Sequence, residues 1–142
     1  MNTKLSRFAL HGVAGVALVF GLATIVSGGQ VLFGGEAVRQ AAGNYLPFVV
    51  WFNFLAGFAY VVAAAGLAAR KAWAARLALA IAIATALAFV AFALLVLDGT
   101  PFESRTVGAM TLRTAVWMGI AWFACRRVGM RCTGNVSASR RQ

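Results

Sequence analysis

The sequence predicts an all-α fold, an integral membrane four-helix bundle with both termini on the cytoplasmic side (N-in/C-in). Three observations lead to it. The chain has 142 residues, 62% of them apolar, and a mean hydropathy of +0.84, too apolar for a soluble domain of this size. Four apolar segments are each long enough to cross a hydrocarbon core of roughly 30 Å, which takes about 20 helical residues. Thirteen Lys and Arg stand against three Asp and Glu, and the basic residues gather in short clusters between the apolar runs. Helices are preferred over barrel strands because lipid leaves no partner for an unpaired backbone group, and the segments are continuously apolar rather than alternating.

The first span is predicted from Phe8 to Gly29, preceded by Lys4 and Arg7. A cleaved signal peptide is the rival reading, but its apolar core is usually about 7 to 15 residues and ends in an A-x-A-like site. The stretch here is longer and has no clear site of that kind. Gly43-Asn44 then forms a turn, and Pro47 opens the second span, Pro47 to Ala69. Proline suits a first helical turn because its missing donor would be unpaired there anyway.

The third span runs from Ala72 to Leu97. Within it Leu77 to Ala84 alternates large and small residues, yet the run is too long for one barrel strand. Ala74, Ala78, Ala82 and Ala86 recur every fourth residue, a small-residue stripe of the sort that lets helix backbones approach closely in lipid. Asp98-Gly99-Thr100-Pro101 ends this helix, and Ser104 or Thr106 is expected to cap the fourth, Thr106 to Cys125. Residues 1–132 thus form one domain, followed by a small, polar and basic tail, 133–142, expected to be disordered. The Asn135-Val136-Ser137 triplet in that tail matches a glycosylation pattern by chance.

Orientation follows from the flanking charges. Lys4, Arg7, Arg70, Lys71, Arg76, Arg126, Arg127, Arg131, Arg140 and Arg141 share one side with no acidic residue. Arg39 and Arg105 face Glu36, Asp98 and Glu103 on the other. Lys and Arg are retained in the cytoplasm, so both termini are inside, and the expected location is a bacterial inner membrane crossed several times. Nucleic acid is excluded as a partner because the basic clusters flank the spans and carry neither a recognition motif nor interleaved aromatic residues. The bilayer itself is the expected partner, with a membrane-protein partner or a second copy of the chain beside it.

Arg113 is the most unusual residue, seven positions into the fourth span and about 10 Å below the outer interface. A central arginine costs at least about 2.5 kcal/mol on insertion scales. Two readings are open: an anion or headgroup contact facing a polar cavity, or a side chain that snorkels outward or pairs with Asp98. Asn53 lies at a comparable depth, and Thr24, Ser27, Thr111 and Thr114 belong to the same leaflet. These six residues form the candidate outer-leaflet polar pocket, the alternative for Asn53 being a hydrogen bond to a neighbouring helix.

No catalytic set, metal site or cofactor is identifiable. His11 is the one histidine, which rules out bis-histidine haem ligation and is best read as interfacial packing. Cys125 and Cys132 are not spaced as C-x-x-C and are expected in a reducing cytoplasm. Tyr60 reads as core, and Trp51, Trp73 and Trp122 as interface anchors.

One stretch carries a family likeness. Ser27-Gly28-Gly29-Gln30-Val31-Leu32-Phe33-Gly34 resembles the G-x-x-K-L-F-G segment of the DoxX-like membrane proteins. Ala56-Gly57 through Gly66-Leu67-Ala68-Ala69-Arg70 and the alanine-rich third span are similar to that family's middle portion, so the likeness covers roughly residues 15–95. Val31 departs from it, standing where the family favours lysine. The resemblance implies a four-helix bundle acting as an accessory membrane component linked to quinone or sulfur redox chemistry, and it supplies no catalytic residue. Three functions follow as expectations. The first is a non-enzymatic accessory or anchoring subunit. The second is a small-molecule carrier or channel acting as a homo-oligomer. The third is a membrane enzyme on lipid or quinone, with Glu36 and Arg39 at the outer surface, the least supported for want of a positioned acid, base or nucleophile.

Overall fold

A computed structural model describes the backbone of residues 3–127 and the side chains of residues 8–126. Its helices are α1 (Thr3–Phe33), α2 (Glu36–Ala42), α3 (Pro47–Ala68), α4 (Ala72–Leu97) and α5 (Ser104–Arg127). Four of them, all but α2, are long and apolar enough to cross a membrane. The side chains of Lys4, Arg7, Arg127, Arg131, Cys132, Arg140 and Arg141, and the tail 133–142, lie outside the described residues.

α4 covers the residues expected of the third span and α3 opens at the expected Pro47, whereas several other helix ends differ from the expected limits. α1 continues past Gly29 to Phe33, because Gly28 is a packing residue rather than a stop: a Cβ there would lie 3.1 Å from Phe54 Cβ. α3 stops at Ala68. Arg70 (φ 53°) adopts the left-handed conformation that closes the helix, with Lys71 N–H donating to Gly66 O and Arg70 N–H to Leu67 O. Gly99 (φ 87°) ends α4 by the same pair of bonds, to Leu95 O from Thr100 and to Val96 O from Gly99 itself. α5 starts at Ser104, so neither Ser104 nor Thr106 is the cap; Glu103 precedes the helix and its carbonyl accepts the Thr106 N–H at 2.9 Å. The short α2 was not expected from sequence.

The helices alternate in direction, so one end, the turn end, gathers α2 and the α4–α5 connection. The opposite, terminal end carries the chain termini and the α3–α4 turn. α1 lies along α3, α3 on α4, and α4 on α5, whereas α1 and α5 scarcely approach. The α1–α3 contact is a backbone crossing: a Cβ on Gly57 would meet Ile25 Cγ1 at 2.6 Å, Ile25 N at 3.1 Å and Gly21 O at 3.2 Å. Close approach of small residues is how helices gain contact where no hydrophobic effect separates helix from solvent.

The α4 stripe holds for Ala74, Ala78 and Ala82, which are buried, and fails at Ala86, which is only half-buried. Four residues turn a helix by about 400°, so a strict spacing of four drifts about 40° per step. Thr85, Ala88 and Phe92 take over the buried face. Outward, only 28% to 33% of an apolar 18-residue stretch of each span is buried, and large side chains such as Val26, Leu55, Leu87 and Leu94 are more than half exposed. So much contiguous apolar surface requires an apolar surrounding. Trp51, Trp73 and Trp122 are exposed near helix ends, with the Arg126 guanidinium 4.2 Å over the Trp122 ring.

Candidate ligand cavity

Because α1 and α5 part company, the bundle opens between α1, α3 and α5 toward the turn end. The opening is a cavity of about 300 Å³, at the small end of ligand-pocket sizes. Ser27, Gly28 and Val31 line it from α1, Val49, Val50 and Asn53 from α3, and Ala109, Met110 and Arg113 from α5. Tyr45, Glu103 and Arg105 stand at its mouth.

The mouth is tied by hydrogen bonds that use exposed helix-end carbonyls. Arg105 Nη2 donates to Ala41 O in the last turn of α2, and Arg39 Nη2 donates to Leu32 O in the last turn of α1, both at 3.3 Å. Cations suit these positions because the final carbonyls of a helix lack intrahelical partners. Glu103 Oε1 accepts the Asn44 N–H at 3.1 Å. Gly43 (φ 67°) is glycine for two reasons: its backbone is left-handed, and a Cβ there would run into the Glu103 carboxylate.

Arg113 lies further along its helix than the seven residues expected from sequence. With α5 beginning at Ser104, it lies about 14 Å along the helix, close to the middle of the span. It is 8% exposed, so it does not snorkel to the surface. Nor is Asp98 its contact. Nη1 reaches Met110 Sδ at 3.8 Å, the guanidinium carbon lies 6.0 Å from the Phe20 ring centre, and Nε is buried with no hydrogen-bond partner. A thioether is a weak acceptor, and this one is shared with Asn53 Nδ2 at 3.9 Å. The charge is therefore poorly compensated.

Below Arg113 the interior stays polar for one more layer. The Tyr60 side chain neighbours Thr85 and Arg113, and its ring packs on Trp117 at 4.5 Å between centres. Among the described residues, Asn53 Oδ1, Tyr60 OH, Thr85 Oγ1, Arg113 Nε and Trp117 Nε1 are buried without a hydrogen-bond partner. Buried polar atoms are normally paired, and here five contributed by three helices lie in the middle of the bundle. Toward the terminal end the core becomes close-packed and apolar, with Leu10, Ala14, Ala17, Ala63, Ala78 and Ala121 all buried.

Of the six pocket residues expected from sequence, the structure brings Asn53, Arg113 and Ser27 to the cavity. Thr24 is buried behind it, and its carbonyl accepts the Ser27 hydroxyl at 3.3 Å. Thr111 and Thr114 do not line it; their hydroxyls donate to Val107 O and Met110 O of their own helix, at 2.9 and 2.8 Å. Such back-bonding satisfies a hydroxyl in lipid without a partner helix. Met110, Thr85, Trp117 and the Tyr60 hydroxyl were missed. Two signals pointed to them: Thr85 is the one uncharged polar side chain, Trp73 aside, in the α4 run, and Trp117 lies mid-span, four residues from Arg113. Among the described residues no three His, Cys, Asp or Glu side chains gather as a metal site. Compared with known proteins, the chain matches no family model, no curated protein and no solved structure.

Proposed function

We propose that this protein is a non-enzymatic accessory subunit of a bacterial inner-membrane system, crossing the membrane four times with both termini inside. In this reading it holds a small ligand in the cavity, entered from the outer face. The observation that carries it is Arg113, a buried mid-span guanidinium with no carboxylate contact, set at the floor of a cavity that opens at one end. Ionisable residues inside a membrane span are costly enough that function is their default explanation.

The exposed basic residues Arg70, Lys71, Arg76 and Arg126 at the terminal end support the orientation, with Glu36, Asp98 and Glu103 at the turn end. An accessory role is favoured over catalysis because the one carboxylate on the cavity, Glu103, is engaged with the Asn44 backbone and stands at the mouth just before α5, more than two helical turns from Arg113. It is favoured over a carrier because the alanine-packed core at the terminal end offers no polar path onward through one chain. The likeness of residues 15–95 to DoxX-like proteins is the reason to seek the partner among quinone- or sulfur-linked redox systems. Affinity purification in mild detergent tests the role: a membrane-protein partner is expected to co-purify in fixed ratio. Recovery of the protein alone, across several detergents, would contradict it.

A further inference from the structure

The chemistry of the cavity narrows what it would hold, given the reading that it is a ligand site. Glu103 and Arg105 offset each other at the mouth, so Arg113 leaves the lining with a single net positive charge. That charge is more than nine-tenths buried, its Nε has no hydrogen-bond partner, and Nη1 donates to a thioether sulfur, a weak acceptor. A charge in such a place is stabilised strongly by a counter-charge brought to it, because low dielectric magnifies the attraction. Guanidinium is also the side chain best matched to a planar two-oxygen acceptor. Between mouth and floor the walls are mostly apolar, from Val31, Val49, Val50, Ala109 and Met110, with Ser27 and Thr106 as the polar exceptions. An inorganic anion would leave those walls facing nothing apolar, and a dianion would exceed the single positive charge.

We propose that the cavity binds a small organic monocarboxylate, its carboxylate on Arg113 and its apolar body along the valine and alanine walls. Asn53, whose Nδ2 donates only to the weak Met110 Sδ acceptor at 3.9 Å, is a positioning residue that would donate that N–H to the carboxylate instead. The acid has two sources, the aqueous phase at the mouth or a fatty acid entering from the lipid along the loose α1–α5 seam.

Thermal unfolding of the detergent-solubilised full chain tests this with hexanoate, its neutral isostere hexanamide, sulfate and dodecanoate. Two variants serve: Arg113→Gln removes the charge, and Ala109→Phe fills the cavity from an exposed position that can take the ring without displacing buried side chains. Hexanoate at about ten times its Kd is expected to raise Tm by roughly 4 °C. Hexanamide and sulfate should raise it by far less, and both variants should lose the hexanoate shift. Dodecanoate as effective as hexanoate assigns the acid to the lipid, and an ineffective dodecanoate assigns it to the aqueous side. Equal shifts from hexanamide and hexanoate, retained in Arg113→Gln but lost in Ala109→Phe, would overturn the carboxylate and leave the ligand cavity standing. No shift from any probe, or shifts surviving both variants, would overturn both.

Discussion

Arg113 is expensive where it stands. An isolated mid-span guanidinium compensated by one sulfur and the face of Phe20 should lower the stability of the ligand-free protein, since replacing buried charge by apolar side chains of similar volume is often stabilising. Arg113→Met is therefore expected to raise stability by roughly 2 kcal/mol, read as a higher unfolding temperature in detergent. A fall in that temperature would mean that Arg113 holds the bundle together rather than serving a ligand. The residue's oddity was legible in the sequence, but its surroundings were not. A one-dimensional pattern shows depth along a helix; it does not show which way a side chain turns. Thr111 and Thr114 shared the right depth yet turn to their own helix carbonyls, while Tyr60 of α3 stands near Arg113 on one side and Thr85 of α4 on the other.

At the scale of elements, glycines divide by what a methyl group would meet. Gly57 lies in the α1–α3 crossing, where an added Cβ would have backbone atoms of Ile25 and Gly21 within 3.2 Å; Gly108 on α5 has nothing within 4 Å of the same position. Gly57→Ala should thus cost about 1 to 2 kcal/mol, because helix backbones must move apart. Gly108→Ala should gain up to about 1 kcal/mol from helix propensity. Unfolding of the two variants side by side checks the pair of signs, and a Gly57→Ala protein as stable as Gly108→Ala would remove the close crossing. The spans themselves were readable because hydropathy is a property of each helix alone. α2 was not, since its seven residues bury nothing and leave no periodic trace; it is held by Arg105 on its last turn and by the loop contacts of Glu103.

For the molecule as a whole, the two ends of the bundle do different work. Alanines close the terminal half into an apolar core, and the separation of α1 from α5 opens the turn half around a polar floor. In the orientation proposed from the charge asymmetry of the sequence the turn end lies outside the membrane, so the floor should be reachable from outside rather than from the cytoplasm. The most direct test labels Asn53→Cys in a chain with Cys125→Ser and Cys132→Ser, using a membrane-impermeant thiol reagent on intact cells. Leu55→Cys, on the exposed apolar side of the same helix, is the comparison. Rapid modification at position 53 from the outside, slowed when Ala109→Phe is added, with little at position 55, is the expected result. Modification at position 53 no faster than at position 55, or only from the cytoplasmic side, would contradict an outward-opening cavity floored by Asn53 and Arg113.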